Sequence, residues 1–199
     1  MAKLYFRYGV MGSSKTANAL MVRYNYEERG QDALLVKPAV DQRDGARFVA
    51  SRAGLSHDCI YFSDLMEMTP RELKPYACII VDEAQFLTRD EVRYLTELVD
   101  DWNIPVICYG LRADFSLRGF PGSTRLLELA HTIEEMKTIC TCGRKAICNC
   151  RKVNGRFVFE GEQVAIDLEN DVQYVSMCPQ CYFKAKRAFY AEKAASRVE

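Results

Sequence analysis

The order of apolar and polar residues divides the first two-thirds of the chain into alternating strands and helices. Residues 3–8 alternate between the two classes and stop at Gly9, which is typical of a strand that enters a turn. Residues 15–28 are helix formers, and Gly30 ends them. Short apolar runs follow at 33–38, 77–81 and 104–110. Apolar strands that alternate with helices predict an α/β domain whose parallel sheet is flanked by helices on both faces.

Capping residues predict where two further helices begin. Ser63 precedes a helical pattern and suits an N-cap. Thr88 and Glu91 have the spacing of a capping box, which predicts a helix over residues 88–102.

The pattern changes near residue 137. Beyond it lie paired cysteines, a hairpin pattern around Asn154-Gly155 and an apolar-basic segment from Tyr182 that is predicted to be helical. We therefore expect one domain over residues 1–136 and a second, smaller domain over residues 137–199.

Charge and composition narrow the class of protein. With 27 basic and 27 acidic side chains the net charge is zero, which argues against a dedicated nucleic-acid binder. The charge is unevenly divided, because residues 1–136 carry 16 basic and 20 acidic side chains while residues 137–199 carry 11 and 7. Neither a secretory signal nor an apolar run of membrane-spanning length is visible, so we expect a cytoplasmic protein.

A phosphate-binding loop is predicted between the first strand and the first helix. Residues 9–16 follow the pattern G-x-x-x-x-G-K-[ST], except that Ser14 replaces the second glycine. Small residues let backbone N–H groups surround a phosphate, Lys15 adds a positive charge, and the Thr16 hydroxyl can bind Mg²⁺. A serine at position 14 has a steric cost if the loop needs a positive φ there. The predicted ATP-binding residues are Gly9, Val10, Met11, Gly12, Ser13, Ser14, Lys15 and Thr16.

The apolar run at 77–81 ends in two acids, Asp82 and Glu83. In phosphate-loop enzymes an acid at such a strand end holds Mg²⁺ beside the phosphates, so Asp82 and Thr16 are the predicted magnesium ligands. Glu83 is placed to activate an attacking hydroxyl or water. Two acids in the first turn of a helix are the competing explanation.

Six of the nine cysteines lie in the last third of the chain. Two pairs each look like half of a tetrahedral zinc site, so a structural Zn²⁺ is predicted on Cys140, Cys142, Cys178 and Cys181. Cys148 and Cys150 would face the same side of a strand and are alternative ligands, although packing as small side chains is favoured. The three cysteines at 59, 78 and 108 are interpreted as small buried residues.

Six segments, in this order, resemble type II thymidine kinases, the zinc-containing cytosolic class of bacteria and animals: YFRYGVMGSSKT, DQR at 41–43, VDEAQFLTRDEV, CYGLRADFSLRGFPGS, KTICTCGRKA and YVSMCPQCY. The resemblance covers nearly the whole chain. It implies a RecA-like α/β domain with a P-loop and a small zinc-ribbon-like domain, whose lasso loop closes over the nucleoside. It also implies phosphorylation of deoxythymidine by ATP with Mg²⁺, a homotetramer, and feedback inhibition by dTTP.

The same resemblance assigns roles to residues. Glu83 is the catalytic base that takes the proton from the 5′-hydroxyl of deoxythymidine, and Ala84 and Gln85 continue the ATP-site motif that Asp82 and Glu83 begin. The substrate site comprises Met11, Arg43, Phe86, Leu111, Phe115 and Tyr174, together with the lasso residues Val164, Ala165, Ile166, Asp167 and Leu168.

Three departures from the family pattern keep alternatives open. Ser14 replaces a glycine, the lasso segment lacks two glycines, and Asn149 stands where the family has Thr or a small apolar residue near the thymine methyl. The preference for thymine over uracil is therefore undecided. The competing functions are a nucleic-acid-dependent P-loop ATPase with a zinc ribbon and a degenerate, non-catalytic relative.

Overall fold

A computed structural model describes residues 1–41, 45–163 and 171–196. The chain forms two compact units. The sheet unit contains residues 1–8, 14–112 and 120–136, and the cysteine unit contains residues 9–13, 113–119 and 137–199. The division into domains at residue 137 stays a prediction.

The described part of the sheet unit is built on a parallel sheet of six strands. The strands of this sheet are β1 (Leu4–Tyr8), β2 (Asp32–Lys37), β5 (Ile60–Tyr61), β6 (Tyr76–Val81), β7 (Val106–Gly110) and β8 (Thr132–Glu135). A separate antiparallel hairpin is formed by β3 (Phe48–Ala50) and β4 (Ser56–Asp58). The spatial order in the sheet is β5-β2-β6-β7-β1-β8, and every pairing is parallel. All six strands therefore end at the same edge.

Helices cover both faces of this sheet. They are α1 (Lys15–Glu27), α2 (Phe62–Glu67), α3 (Pro70–Leu73), α4 (Arg89–Asp100) and α5 (Pro121–Leu129), with a 3-10 helix at Ala84–Phe86. Alternate strand residues pack on opposite sides. Leu34, Val36 and Ile79 belong to a core shared with α2, α3, α4 and α5, whereas Leu35 and Ile80 belong to a core shared with α1. The predicted α/β class, with a parallel sheet flanked by helices, is confirmed.

Two local predictions for this unit can be checked. The capping box of α4 is confirmed, because the Glu91 N–H donates to Thr88 Oγ1 at 3.2 Å and Glu91 Oε2 accepts from the Thr88 N–H at 2.6 Å. The predicted Ser63 cap is wrong. Helix α2 begins two residues earlier, with Tyr61 as the N-cap and the Asp64 carboxylate accepting its N–H at 2.8 Å.

The cysteine unit is smaller. Its described elements are β9 (Thr138–Ile139), β10 (Lys145–Ala146), β11 (Cys148–Val153), β12 (Arg156–Val158), β13 (Val172–Met177) and α6 (Pro179–Ala195). Strand β11 lies between β12 and β13 and is antiparallel to both. The predicted Asn154-Gly155 turn joins β11 to β12, with φ values of 49° and 78°. Helix α6 begins at Pro179, three residues before the predicted start.

Strand β11 has two buried faces. Cys148 and Cys150 pack in a core with Phe159 and Tyr182, and burial raises the pKa of the Cys150 thiol to about 12. Packing as small side chains, the favoured interpretation of these two cysteines, agrees with this placement. Asn149 and Arg151 alternate with them and are 4% and 3% exposed. The opposite face of the strand is therefore polar and buried.

Across the described residues, no helix is long and apolar enough to cross a membrane.

Candidate functional site

Several residues of the predicted site lie at the edge where the strands of the parallel sheet end. The loop of residues 9–16 follows β1, Lys37 ends β2, Asp82 follows β6 and Leu111 follows β7. Ligands bind at this edge in open α/β sheets, because the loops after parallel strands diverge there and leave a crevice.

The phosphate loop contains two residues in the left-handed region. Gly12 has φ +72°, and a Cβ there would meet open space, so the backbone conformation is what favours glycine. Ser14 has φ 59° and ψ 27° and is the N-cap of α1. The position that departs from the P-loop pattern therefore does require a positive φ, which costs a non-glycine residue about 1 kcal/mol. Lys15 begins the helix and is 7% exposed.

Asp82 is buried at the end of β6. Its Oδ1 atom has no hydrogen-bond partner among the described residues. Burial and the neighbouring charge of Glu83 raise the pKa of Asp82, while hydrogen bonds from the Thr16 side chain and the Glu83 backbone oppose that rise. A buried carboxylate oxygen without a partner is costly in a folded protein. A hard cation such as Mg²⁺ would satisfy it, and the Thr16 hydroxyl beside it could supply a second oxygen ligand, so these residues fit a magnesium ion.

Glu83 is held in a strained backbone conformation. It has φ 52° and ψ 34° and precedes the 3-10 helix. Gln85 connects it to the residue that follows β7, because Gln85 Nε2 donates to Glu83 Oε2 and Gln85 Oε1 accepts from the Leu111 N–H at 3.0 Å. Strain of this kind persists where surrounding contacts fix the backbone, and it is common at functional sites. The predicted ATP-site residue Gln85 thus orients the predicted base.

Helix α5 packs closely against the backbone of residues 84–87, which directly follow Glu83. A Cβ on Gly122 would lie 2.4 Å from the carbonyl oxygen of Leu87, so glycine allows the helix to approach the backbone closely. Ser123 Oγ donates to the Leu111 carbonyl. The predicted substrate residue Phe86 packs edge-to-face on Phe120, with ring centroids 5.8 Å apart.

Lys37 is a polar residue of this edge to which the sequence analysis assigned no role. It is fully buried, and its Nζ donates to the carbonyls of Gly45 and Phe48 at 2.8 Å each. A lysine that closes an otherwise apolar strand is the pattern that could have identified it. The predicted substrate residue Arg43 lies outside the described residues.

In the cysteine unit, β11 and β13 hold the backbone of Met11 on both sides. Asn149 Oδ1 accepts from the Met11 N–H at 2.8 Å, and Ser176 Oγ donates to the Met11 carbonyl. The other end of the Asn149 amide donates to the Ala113 carbonyl at 3.1 Å. Asn149 is therefore a bridge between two loops, hydrogen-bonded at both ends of its amide, which the sequence analysis did not foresee.

The four predicted zinc-binding cysteines lie together. Their Sγ atoms, on Cys140, Cys142, Cys178 and Cys181, are all within 4.8 Å of one another. Backbone N–H groups of Cys142 and Cys178 lower the pKa of the Cys140 thiol to about 6, and the Cys181 N–H lowers that of Cys178. Four sulfurs around a tetrahedral Zn²⁺ are about 3.8 Å apart, given a zinc–sulfur distance of about 2.3 Å. The cluster could hold a metal ion of this kind.

Two predicted substrate residues, Phe115 and Tyr174, both contact Arg151 in the cysteine unit. Phe115 is 1% exposed. The predicted lasso residues Val164, Ala165, Ile166, Asp167 and Leu168 lie outside the described residues.

A parallel α/β sheet with a phosphate loop after its first strand and a buried acid after a neighbouring strand is the architecture of the P-loop nucleotide-binding proteins. Comparison with known proteins narrows this class. A family model described as "Thymidine kinase" matches residues 2–182. The chain belongs to the thymidine kinase family, as the sequence resemblance predicted.

Individual relatives extend along nearly the whole chain. A thymidine kinase of Legionella pneumophila (strain Paris) is 47% identical over 185 residues, covering 89% of this chain and 88% of its own. A thymidine kinase of Francisella tularensis is 41% identical over 187 residues, covering 89% and 95%. One of Streptococcus pyogenes is 42% identical over 188 residues, covering 92% and 98%. Among solved structures, Pif1 helicase from Candida albicans matches at a TM-score of 0.40 and 13% identity, covering 69% of this chain and 36% of its own, a likeness too slight to support an argument.

Proposed function

We propose that this chain transfers the γ-phosphoryl group of ATP to the 5′-hydroxyl of deoxythymidine, giving dTMP and ADP. Family membership supplies the nucleoside. The structural observation that supports the chemistry is the buried Oδ1 of Asp82, which has no hydrogen-bond partner in the described part of the chain and lies beside Thr16, with Glu83 following directly. A site for a hard cation and a candidate base are then adjacent at the end of one strand.

Three groups of residues have different roles in the proposed reaction. Lys15 and the N–H groups of residues 9–16 bind the phosphates and neutralise charge that develops during transfer. Thr16 and Asp82 would hold Mg²⁺, which when bound draws electron density from the phosphate oxygens. Glu83, oriented by Gln85, accepts the proton of the 5′-hydroxyl of deoxythymidine. The hydroxyl oxygen forms a bond to the γ-phosphorus while the bond between the γ-phosphorus and the departing ADP oxygen breaks.

The nucleoside site is proposed to comprise Met11, Arg43, Phe86, Leu111, Phe115 and Tyr174 with the lasso segment 164–168. Steady-state phosphorylation of deoxythymidine, with deoxyuridine in parallel, tests this proposal. We expect ADP release that depends on deoxythymidine. ADP release that instead depends on added DNA, or no release with any nucleoside, would contradict it.

Asn149 provides a reason to test both nucleosides. Its amide is engaged at both ends by backbone groups of Met11 and Ala113, so it contributes to loop geometry. Replacement of Asn149 by Thr should therefore raise KM for both nucleosides together. A change confined to one nucleoside would instead assign Asn149 a direct contact with the base.

We further propose that the four-cysteine cluster binds a structural Zn²⁺, that the protein assembles as a homotetramer, and that dTTP inhibits it. The close approach of the four Sγ atoms supports the first of these, since a tetrahedral Zn²⁺ binds four thiolates. The other two proposals rest on the sequence resemblance. Metal analysis, light scattering and a dTTP titration of the kinase reaction test them in turn. Far less than about one zinc per chain would contradict the metal site.

A further inference from the structure

Arg151 lies on the polar face of β11 and is surrounded by three separate segments of the cysteine unit. Its guanidinium carbon is 3.7 Å from the centre of the Phe115 ring. Its Nε donates to the Tyr174 hydroxyl at 3.2 Å. One of its terminal nitrogens donates to the carbonyls of Glu162 and Gln163, at 2.6 and 3.2 Å. The side chain is thus stacked on a ring and hydrogen-bonded to three acceptors.

Such a residue is costly to bury. A charged group 3% exposed gives up most of its hydration, and it is retained where its partners replace that hydration. Arginine suits these partners because its guanidinium is planar and carries donors in a fixed fork. A lysine could offer one of these contacts but neither the flat stacking surface nor the fork.

The partners share a further property. Phe115 and Tyr174 are proposed to contact the nucleoside, and Glu162 and Gln163 directly precede the proposed lasso residues 164–168. Phe115, Tyr174 and the backbone of residues 162–163 are therefore all held by a single buried side chain. Nε and one terminal nitrogen of Arg151 donate to protein groups and its guanidinium stacks on Phe115, so Arg151 acts through these segments.

We propose that Arg151 is a positioning residue for nucleoside binding, which fixes the Phe115 ring, the Tyr174 hydroxyl and the backbone of residues 162–163. This inference rests on the proposed function, because it takes the nucleoside site to lie at these segments. A misplacement of about 1 Å at a binding group can cost on the order of 100-fold in rate, so losing this anchor should be measurable.

Lys152 provides a matched control. It is the next residue of the same strand, has the same charge and lies on the opposite face, with its Nζ 4.7 Å from the centre of the Phe157 ring. Arg151→Gln, Arg151→Lys, Tyr174→Phe and Lys152→Gln should be assayed for KM of each substrate. We expect Arg151→Gln to raise KM for deoxythymidine roughly tenfold or more, with KM for ATP within about twofold.

The other variants sharpen the test. Arg151→Lys should recover little of the loss, Tyr174→Phe should raise KM for deoxythymidine severalfold, and Lys152→Gln should have no effect. Adding Tyr174→Phe to Arg151→Gln should cost less than Tyr174→Phe alone, since the two share one hydrogen bond. Equal rises in KM for both substrates, or full rescue by lysine, would overturn the proposal. If Arg151→Gln fails to fold, Arg151→Lys and Tyr174→Phe still decide it.

Hydrogen exchange separates this inference from the proposed function. Peptides spanning 113–119 and 171–177 should exchange faster in Arg151→Gln than in wild type and in Lys152→Gln. This readout requires no turnover. Wild-type protein that phosphorylates no nucleoside would contradict the proposed function, while unchanged exchange in both peptides would contradict the role of Arg151 itself.

Discussion

The two units hold their proposed functional residues in different ways. In the sheet unit, Glu83 and Ser14 have left-handed backbones, and the buried Asp82 has an oxygen without a partner among the described residues. In the cysteine unit, the buried polar side chains of Asn149 and Arg151 are hydrogen-bonded. A large core can support strained and desolvated groups, because many apolar contacts offset their cost. A smaller core offers fewer such contacts, and in the cysteine unit hydrogen bonds hold the buried polar side chains.

The largest effect should come from the candidate base of the sheet unit. Glu83→Gln removes the proton acceptor but keeps the shape of the side chain, so we expect turnover to fall by roughly two orders of magnitude. ATP binding and metal content should be unchanged. Steady-state kinetics with isothermal titration of ATP measure both. The exposed Glu97→Gln on α4 is the control, and unchanged turnover in Glu83→Gln would exclude the role.

In the cysteine unit, the largest loss of stability should follow from replacing one of the four clustered cysteines. Cys178→Ser leaves three thiols in the cluster, so we expect loss of bound zinc and a fall in Tm of about 10 °C or more. Cys59→Ala removes a buried thiol from the sheet unit and should leave metal content unchanged. Metal analysis together with calorimetry checks this. Full zinc occupancy in Cys178→Ser would show that the unit does not depend on this ligand.

Neutralising Asp82 should have the opposite effect on stability. Burial raises the pKa of Asp82 in the folded state above its value in the unfolded state. Between these two pKa values the folded protein keeps the proton while the unfolded chain has lost it. The free energy of unfolding therefore falls as the pH rises through this window. Without Mg²⁺, Asp82→Asn should be more stable than wild type by on the order of 2 kcal/mol at pH 8, and no more stable at pH 4. Urea denaturation at both pH values measures this. The exposed Asp58→Asn is the control, and a gain that is independent of pH would rule out titration of Asp82 as its cause.

The smallest predicted effect concerns backbone strain. Ser14→Gly should stabilise the protein by about 1 kcal/mol, because glycine adopts φ 59° without a Cβ clash. Asn154→Gly, at φ 49° in the cysteine unit, should gain less, since asparagine tolerates this region better than serine. Denaturant midpoints compare the two. A destabilised Ser14→Gly would mean that the serine side chain makes a contact that offsets its strain.

Much of the sheet unit could be predicted from the chain itself. Continuous apolar runs, a capping box and the Gly9–Thr16 pattern depend on residues close together in sequence. The apolar runs form strands, the capping box begins α4, and residues 9–16 lead from β1 into α1, as predicted. The hairpin of β3 and β4 was missed, because a short polar segment carries little periodicity. The Ser63 cap was wrong because Asp64, one residue further on, competes for the same helix start.

The sequence by itself determined the family, the order of elements, the phosphate loop with its acid pair and the choice of four cysteines. These are properties of residue type and spacing. Tertiary structure decided that Ser14 needs a positive φ, that Gln85 orients Glu83, and that Asn149 and Arg151 are buried bridges. The bridges of Asn149 and Arg151 depend on contacts between residues far apart in the chain, such as Asn149 with Met11, and no local pattern specifies which distant backbone group a side chain meets.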